Sequence, residues 1–361
     1  MGRGLKVLII PLDWGLGHAT RCIPIIHYLI SKGHQITLAG EGKTASLLKA
    51  EFPNITMLHV RGYSISYAKK GRQFIPSILF QVPKIAFTIF HENRWLKKNI
   101  QIHQWDIVIS DNRYGLYTKH AKTIFITHQL GMISGLGKIA DGMLQQILYP
   151  FIERFDRCFV PDSENEINIA GNLSHPKLQP NNVKYIGPIS RMENTHHNEE
   201  DFILLLLSGP EPQRSILENI LIEQASKLKH QFVCVRGLPS DKNKLEDLSN
   251  IQFINHLQAK DLNTYILKSK LVVCRTGYST VMDLLKLQKR AIMVPTPGQT
   301  EQEYLAKRLN KLGWFSIQVQ QNIDLASGIQ HFHDNNATLP NMNFEGYRKS
   351  LDDFSIQYLG A

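Results

Sequence analysis

The chain has 361 residues, of which 43% are hydrophobic and 20% are charged, and its formal net charge is +10. This length and composition are typical of a folded protein with about two domains and exclude a largely disordered chain. The four cysteines form no C-x-x-C pair and the histidines form no H-E-x-x-H motif, which predicts reduced thiols, a cytoplasmic protein and no zinc site.

Short β-rich runs alternate with helical stretches in the first half of the chain. This alternation predicts βαβ units around a parallel, doubly wound sheet. The predicted strands lie at 5–10, 35–39, 55–60, 106–110, 123–127 and 157–160. The predicted helices lie at 19–32, 73–98 and 135–153.

The stretch PLDWGLGHATR, residues 11–21, joins the first predicted strand to the first predicted helix. Ligands bind at this carboxyl edge of a parallel sheet, so His18 is a candidate general base, and Gly15 and Gly17 let a ligand approach the backbone. The alternative is a histidine that only caps or packs the turn. NAD binding is disfavoured, because the third glycine of the dinucleotide fingerprint is missing and no acidic residue ends the second strand.

Positive charge is concentrated in the block 61–105, which holds eight lysines and arginines and one acid, Glu92. The block is also rich in bulky apolar residues. It therefore predicts either a surface that meets anionic lipid or a core helix with a solvated basic face. Its most apolar part, 74–90, is too interrupted to span a bilayer, and the opening of the chain has too short an apolar run for a signal peptide. No motif for nucleic-acid binding is present, so nucleic acid is not expected as a partner.

A second series of alternating elements begins at Asp201. Its predicted strands lie at 202–207, 231–235, 251–254, 271–274 and 291–294, and its helices at 212–228, 260–269, 278–287 and 301–312. A polar stretch that starts with Gly187-Pro188 separates the two series and is typical of a linker.

We therefore expect a first domain at 1–188, a second at 189–344, and a terminal helix at 345–361 that packs on one of them, with the first domain as one option. Two α/β domains of similar size are expected to face each other across a cleft. Such a cleft is the usual place for a ligand.

The most informative stretch is Leu271–Gly313. A buried strand ends at Cys274, and the turn after it leads directly into a helix, where free amides, hydroxyls and a guanidinium can hold a diphosphate without a metal. Asp283, about two turns further on, can accept both hydroxyls of a ribose. The residues of the turn are Arg275, Thr276, Gly277, Tyr278, Ser279 and Thr280. The loop after the next strand is rich in side chains that hydrogen-bond sugars: Gln299, Thr300, Glu301, Gln302 and Glu303.

This region resembles the nucleotide-sugar half of the MurG family, which are family 28 glycosyltransferases of the GT-B fold. The family pattern R-S-G-A-x-T-x-x-E corresponds to Arg275–Asp283, and its Q-Q-Y to Gln302-Glu303-Tyr304. The resemblance implies that Asp283 binds the ribose of UDP and that Gln302 and Glu303 contact the donor sugar. It also implies that the segment IQFINHL holds the uracil near Ile254.

The first half resembles the family more loosely. The family loop G-G-x-G-G-H, whose histidine is a proposed catalytic base, corresponds to Asp13–His18, and its H-E-Q-N segment to FITHQLGM with His128 and Gln129. The resemblance implies an acceptor side in this domain and a hydrophobic, basic patch that faces the membrane. The expected acceptor-side residues are Gly15, Gly17, Arg21, His128 and Gln129.

The resemblance implies an inverting, metal-independent transfer of a hexose, N-acetylglucosamine first, from a UDP-sugar to an acceptor hydroxyl, with His18 as base. Asp111 ends a strand at the same sheet edge and is expected to orient the acceptor or His18, while Ser208 and Gly209 join the nucleotide site. No cofactor is expected beyond the UDP-sugar substrate.

The acceptor stays open between a lipid-linked substrate and an envelope glycan, since Ser208–Pro212 replaces the family's second glycine-rich loop. The expected location is cytoplasmic, with the inner face of the membrane as an option. A UDP-sugar hydrolase, a non-hydrolysing 2-epimerase and a degenerate UDP-sugar binding protein remain alternatives.

Overall fold

The computed structural model describes residues 4–63, 82–135, 137–239, 243, 245–334 and 338–359. Contacts divide the described residues into two compact units, the first with 4–63, 82–191 and 342–359 and the second with 192–341. Part of the basic block that the sequence predicts as a lipid-facing surface, residues 64–81 of 61–105, lies outside the described residues. In the described part of the chain, no helix is both long enough and apolar enough to cross a membrane.

The first unit is built on a seven-stranded parallel sheet with the order β3-β2-β1-β4-β5-β6-β7. Its strands are β1 Lys6–Pro11, β2 Gln35–Gly40, β3 Thr56–His59, β4 Ile107–Asp111, β5 Lys122–Ile126, β6 Arg157–Val160 and β7 Val183–Tyr185. The second unit has a six-stranded parallel sheet with the order β10-β9-β8-β11-β12-β13. Its strands are β8 Glu200–Leu206, β9 Phe232–Val235, β10 Ile251–Ile254, β11 Ser269–Arg275, β12 Ala291–Val294 and β13 Ser316–Ile317.

Helices connect most of the consecutive strands in both units, as is usual for the crossover connections of parallel sheets. In the first unit they are α1 Leu16–Ser31, α2 Gly42–Glu51, α3 Val82–His103 and α4 Lys138–Ile152. In the second they are α5 Gln213–Ala225, α6 Ala259–Lys268, α7 Tyr278–Lys286, α8 Thr300–Lys311 and α9 Leu325–Asp334. The chain then returns to the first unit with α10 Gly346–Leu359.

The core of the first unit includes the last helix. Leu351 and Phe354 of α10 are buried in the same apolar cluster as Ile26 of α1 and Ile9 of β1. The Tyr28 hydroxyl of α1 also donates a 2.7 Å hydrogen bond to Asp352. The first unit is therefore assembled from both ends of the described chain.

The α/β architecture with two parallel, doubly wound sheets is confirmed, and the predicted strands match the observed ones within two residues. Continuous runs of β-branched and aliphatic residues mark these strands because both faces of a parallel sheet are covered by helices. The edge strands β7 and β13 and the helices α2 and α9 were not predicted. The first nine residues of the helix predicted at 73–98 lie outside the described residues, and the observed α3 ends at His103.

Candidate active site

The first candidate site lies where β1 and β4 end. Pro11 and Asp111 are register partners at the carboxyl ends of these neighbouring strands. Helix α1 starts five residues after Pro11, and His18 and Arg21 lie three residues apart on it, so they share one face of the helix. This geometry brings both side chains onto Asp111.

The His18 ring and the Asp111 carboxylate form a close pair, with His18 Nδ1 2.7 Å from Asp111 Oδ1. Nδ1 also lies 3.0 Å from Arg21 Nη2, which only donates, so the ring serves as a base toward the open side in the tautomer in which Nδ1 carries the hydrogen and donates it to the carboxylate. The neutral ring then has its lone pair on Nε2, and the side chain is 18% exposed. The pair is arranged as a base whose far nitrogen can take a proton.

Arg21 holds Asp111 from the other side and is itself buried. Its Nε donates to Asp111 Oδ2 at 2.5 Å, its Nη2 donates to Oδ1, and its Nη1 lies 2.9 Å from Nδ1 of His128. Since a guanidinium only donates, the His128 Nδ1 accepts this bond. Arg21, predicted on the acceptor side, is 4% exposed and donates to Asp111 and His128, so its role toward an acceptor stays a prediction.

The charge of Asp111 is stabilised although the carboxylate is fully buried. Burial alone would raise its pKa, but the Arg21 guanidinium and His18 outweigh burial and hold the pKa of Asp111 well below its usual range. Asp111 is therefore ionised near neutral pH. A negative carboxylate beside His18 favours the imidazolium that forms when the ring takes a proton.

The remaining acceptor-side residues lie near this cluster in the first unit. Gly15 precedes α1 with φ at +154°, a conformation that favours glycine, and a Cβ there would meet no atom within 4 Å. Gly17 accepts a hydrogen bond from the Thr20 hydroxyl through its carbonyl. His128 is 5% exposed, and Gln129, the next residue, is half-buried.

A buried ion pair supports this edge without taking part in it. Arg113 Nε donates to Glu92 Oε1 at 2.7 Å, and the other Glu92 oxygen accepts from the Tyr63 hydroxyl and the Gly115 amide. Arg113 also donates to the carbonyl of Arg61. The pair ties α3 to the loops after β3 and β4, and sequence reasoning missed it because its partners are 21 residues apart in different elements.

The second candidate site lies at the carboxyl edge of the second sheet. Ser208 and Gly209 follow β8 and are exposed, and Gly277 is the N-cap residue of α7 and makes no side-chain capping bond. Amides of a first helical turn have no partner inside the helix and attract anions. Ser279 and Thr280, in that turn, are half-buried.

Arg275 and Tyr278 differ from the expectation. The Arg275 guanidinium is 1% exposed and donates to the carbonyls of Gln213, Pro295 and Val294, with the Gln213 bond at 2.7 Å. Burial lowers its pKa to about 10. Arg275 therefore fastens the ends of β11 and β12 to the start of α5 instead of presenting its charge to a diphosphate. The Tyr278 side chain is also buried, at 4% exposed, which leaves its backbone as the group for a ligand.

Asp283 and Ile254 remain in accessible positions. Asp283 lies in the second turn of α7 and is half-buried, and Ile254 ends β10 and is half-buried. The neighbouring segment is held by Arg236, whose Nη1 donates to the Asn255 side chain at 3.0 Å while its Nε donates to buried Glu218 at 2.7 Å. The segment that the resemblance assigns to uracil is thus anchored by a buried ion pair.

The predicted sugar-binding residues hold their own loop. Gln302 accepts from the Thr296 amide at 2.9 Å, and Glu303 accepts from the Gly298 amide at 2.8 Å. Gln299 caps the start of α8, and its buried side-chain oxygen has no partner among the described residues. These contacts fix the loop after β12, and the roles of the three side chains toward a sugar stay predictions.

Two threonines at this edge carry buried hydroxyls without a partner in the described part of the chain, Thr276 after β11 and Thr296 after β12. Thr276 was predicted in the nucleotide site, whereas Thr296 was missed. Its only sequence signal is a hydroxyl two residues beyond a buried strand. Among the described residues, no group of three histidine, cysteine or acidic side chains is arranged to hold a metal ion.

Comparison with known proteins gives consistent results. Residues 204–355 match the glycosyltransferase family 28 C-terminal domain. An uncharacterized glycosyltransferase of Methanosarcina acetivorans is 23% identical over 86% of this chain and 84% of its own length. A UDP-N-acetylglucosamine–N-acetylmuramyl-(pentapeptide) pyrophosphoryl-undecaprenol N-acetylglucosamine transferase of Thermosipho africanus is 23% identical over 64% of each chain.

Solved structures show the same fold at low identity. The glycotransferase of kitacinnamycin superposes with a TM-score of 0.66 at 14% identity and covers 99% of this chain and 100% of its own. A Listeria monocytogenes protein named as a UDP-N-acetylglucosamine 2-epimerase superposes with a TM-score of 0.65 at 13% identity, over 99% and 98%. The chain thus carries a glycosyltransferase family 28 C-terminal domain at residues 204–355 and has the GT-B fold, and it is a transferase enzyme that is similar to the MurG-like family 28 glycosyltransferases.

Proposed function

We propose that this enzyme is an inverting glycosyltransferase that moves a hexose, with N-acetylglucosamine as the first candidate, from a UDP-sugar to an acceptor hydroxyl without a metal ion. The observation that carries the proposal is the pairing of His18 with buried, ionised Asp111 at the end of β1 and β4. A histidine oriented in this way is suited to take the proton of a hydroxyl that attacks an anomeric carbon.

The proposed reaction is a single displacement at the anomeric carbon of the donor sugar. The acceptor proton passes to Nε2 of His18, the acceptor oxygen bonds to the anomeric carbon, and the bond from that carbon to the terminal phosphate oxygen breaks. The departing group is UDP, whose charge is stabilised by the first-turn amides of α7 and the side chains of Ser279 and Thr280. The first unit supplies the base, and the second unit holds the leaving group.

Donor recognition is proposed to rest on three parts of the second unit. Asp283 accepts the ribose hydroxyls, the backbone near Ile254 holds the uracil, and Gln299, Gln302 and Glu303 contact the sugar. Their half-buried or loop positions at one sheet edge support this assignment. Relatives named as UDP-N-acetylglucosamine transferases support UDP as the nucleotide.

The His18–Asp111 pair favours transfer over a binding protein with a degenerate site, because such a protein has no need of an ionised carboxylate aligned with a histidine. A UDP-sugar hydrolase or a 2-epimerase would keep the donor edge and lose the sugar acceptor. Product analysis separates them, since a glycoside, a free sugar and an epimerised UDP-sugar are different products.

The acceptor side is proposed to work at the inner face of the cytoplasmic membrane, on a lipid-linked or envelope glycan. Support comes from α3, where Phe87 and Phe90 are 54% and 62% exposed and His91 and Arg94 lie on the same helical face. An exposed aromatic stripe next to basic residues is suited to anionic lipid.

Isothermal titration tests the donor site. Wild-type protein is titrated with UDP, UDP-N-acetylglucosamine, ADP and NAD, beside Asp283→Ala and the matched control Asp261→Ala, an exposed acid in the first turn of α6. Selective UDP binding that only Asp283→Ala abolishes supports the proposal, and release of UDP from the sugar nucleotide adds catalysis. Absence of UDP binding, or equal affinity for ADP, contradicts it.

A further inference from the structure

Two buried hydroxyls at the donor edge of the second unit are not used by the protein. Thr276 is 0% exposed and Thr296 is 4% exposed, and neither Oγ1 has a hydrogen-bond partner among the described residues. A buried polar group without a partner costs free energy, so such groups are rare in folded proteins and call for a specific reason.

Thr296 points its hydroxyl toward the loop that follows β8. A Cβ built on Gly209 would lie 3.9 Å from Thr296 Oγ1, and apart from its chain neighbours no other atom of the described residues would come within 4 Å of it. Gly209 has φ at +109° and is exposed. The backbone of the β8 loop and the hydroxyl of the β12 loop therefore line the same open space in the second unit.

The Thr296 hydroxyl is not needed to hold its own loop. The Thr296 amide donates to Gln302 Oε1 at 2.9 Å, and the Gly298 amide donates to Glu303 Oε1 at 2.8 Å. Arg275 also fixes the end of β12 by donating to the Pro295 carbonyl at 3.2 Å. With the backbone fixed by three other side chains, the hydroxyl is free to serve a ligand.

The neighbours of this space favour a phosphate over a sugar. Thr276 and Thr296 follow the adjacent strands β11 and β12, and the first turn of α7 begins two residues after Thr276. Hydroxyl and amide donors together match phosphate oxygens, which only accept. Among the acids near this edge, Asp283 lies in the second turn of α7, Glu303 accepts from the Gly298 amide, and Glu211 accepts from Arg214 at 2.6 Å.

We propose that the Thr296 hydroxyl, with that of Thr276, donates a hydrogen bond to the terminal phosphate of the bound nucleoside diphosphate. This inference rests on the proposed function and adds a specificity residue to it. Thr296 distinguishes a diphosphate from a monophosphate and steadies the leaving group as the sugar departs.

The test compares UDP with UMP by isothermal titration on the full chain. Thr296→Val keeps the shape and removes the hydroxyl, and Thr296→Ser keeps the hydroxyl. The expected result is an affinity for UDP about 10-fold weaker in Thr296→Val, with UMP affinity within about twofold of wild type and Thr296→Ser close to wild type for both. The melting temperature of Thr296→Val should equal or exceed that of wild type, since an unpaired buried hydroxyl has been removed.

Each other outcome overturns the inference. Unchanged UDP affinity in Thr296→Val would show that the Thr296 hydroxyl does not bond to the terminal phosphate. An equal loss of affinity for UDP and for UMP would show that Thr296 instead shapes the loop or contacts the nucleoside. Thr296→Ala repeats the test if valine unsettles the strand end. Wild-type titration with UDP reports on the proposed function separately, because that measurement does not involve the variant.

Discussion

The carboxyl edges of the two sheets satisfy their polar groups in different ways. At the first edge, His18, Arg21, Asp111 and His128 hydrogen-bond to one another in a buried side-chain cluster. At the second edge, side chains such as Arg275 and Gln302 bond to the backbone, and the hydroxyls of Thr276 and Thr296 have no partner among the residues that the structure describes.

This contrast matches two kinds of chemistry. A group that moves a proton must be oriented and electrostatically prepared before the substrate arrives, so its partners belong to the protein. A surface that binds a diphosphate instead has hydrogen-bond donors that are not paired within the protein, because the ligand supplies the acceptors. Under the proposed function, the first edge would serve catalysis and the second would serve binding of the donor.

The largest expected effect comes from removing the base. His18→Ala should lower the rate of transfer about 100- to 10,000-fold, because proton abstraction by a positioned side chain contributes a factor of this size. The affinity for UDP should stay unchanged, since His18 lies in the first unit. UDP release from UDP-N-acetylglucosamine, with a total lipid and glycan extract as acceptor source, measures the rate, and titration measures affinity.

The matched control for this change is His27→Ala, a 60% exposed histidine on the same helix α1. It should retain wild-type turnover. Wild-type turnover in His18→Ala would contradict the proposal that His18 is the catalytic base and would indicate that it only packs at this edge.

The second prediction removes the negative charge of Asp111 at the first edge. Asp111→Asn leaves buried Arg21 without its carboxylate and should lower the free energy of unfolding at pH 7 by about 3–5 kcal/mol. The pKa of Asp111 is depressed in the folded protein, so its stabilisation is present above the ordinary value of 3.8 and is lost as the pH falls below it. Urea unfolding between pH 2 and pH 7 measures both proteins.

In that experiment the wild type should lose stability toward acid more steeply than Asp111→Asn, so the two curves converge at low pH. Parallel curves would show that Asp111 is not the ionised centre of the cluster. Glu92 shifts in the opposite direction, because burial raises its pKa more than Arg113 lowers it, and it is common to both proteins.

The third prediction concerns the second edge. Arg275→Met removes the guanidinium that bonds to three backbone carbonyls and should lower the unfolding free energy of the second unit by about 3 kcal/mol. UDP affinity should fall as well, because the loops that hold the ligand lose their anchor. Arg275→Lys should be intermediate, since an ammonium cannot reproduce the fork of a guanidinium. Lost UDP affinity with unchanged stability would restore Arg275 as a direct phosphate ligand.

The smallest expected effect tests the helix beside the first edge. The double change Phe87→Ser and Phe90→Ser should weaken binding to vesicles of anionic lipid about 10-fold at low salt, because two exposed rings no longer enter the interface. Ile102→Ser, on a 67% exposed residue further along α3, is the matched control. Equal vesicle sedimentation of all three proteins would leave α3 as an ordinary surface helix.

Much of this arrangement follows from local sequence. The buried runs predict the sheets, and the position of His18 at the start of the helix after the first strand and of Asp111 at the end of another strand predicts a shared edge, because parallel strands end on the same side. The turn after Cys274 is predicted equally well, since strand, small residues and helix follow one another within a few positions.

Other features depend on distant partners that local patterns do not encode. Arg275 lies at a position where a side chain could bind phosphate. Its guanidinium is instead buried, because it donates to three backbone carbonyls of other segments. The Arg113–Glu92 ion pair cannot be predicted from local sequence for the same reason, because its partners lie in different elements. The strands β7 and β13 are only three and two residues long, too short for a periodic signal, and are formed because a neighbouring strand offers free backbone groups.

The return of the chain to the first unit has a consequence for biosynthesis. Tyr347, Leu351 and Phe354 complete an apolar cluster whose other members begin at Leu5, so residues far apart along the chain form one core. During synthesis the intervening residues 192–341 emerge with all of their own sheet and helices. We therefore expect the second unit to be able to fold before α10 has been synthesised, and a premature stop near residue 342 should destabilise the first unit more than the second and expose it to chaperones and proteases.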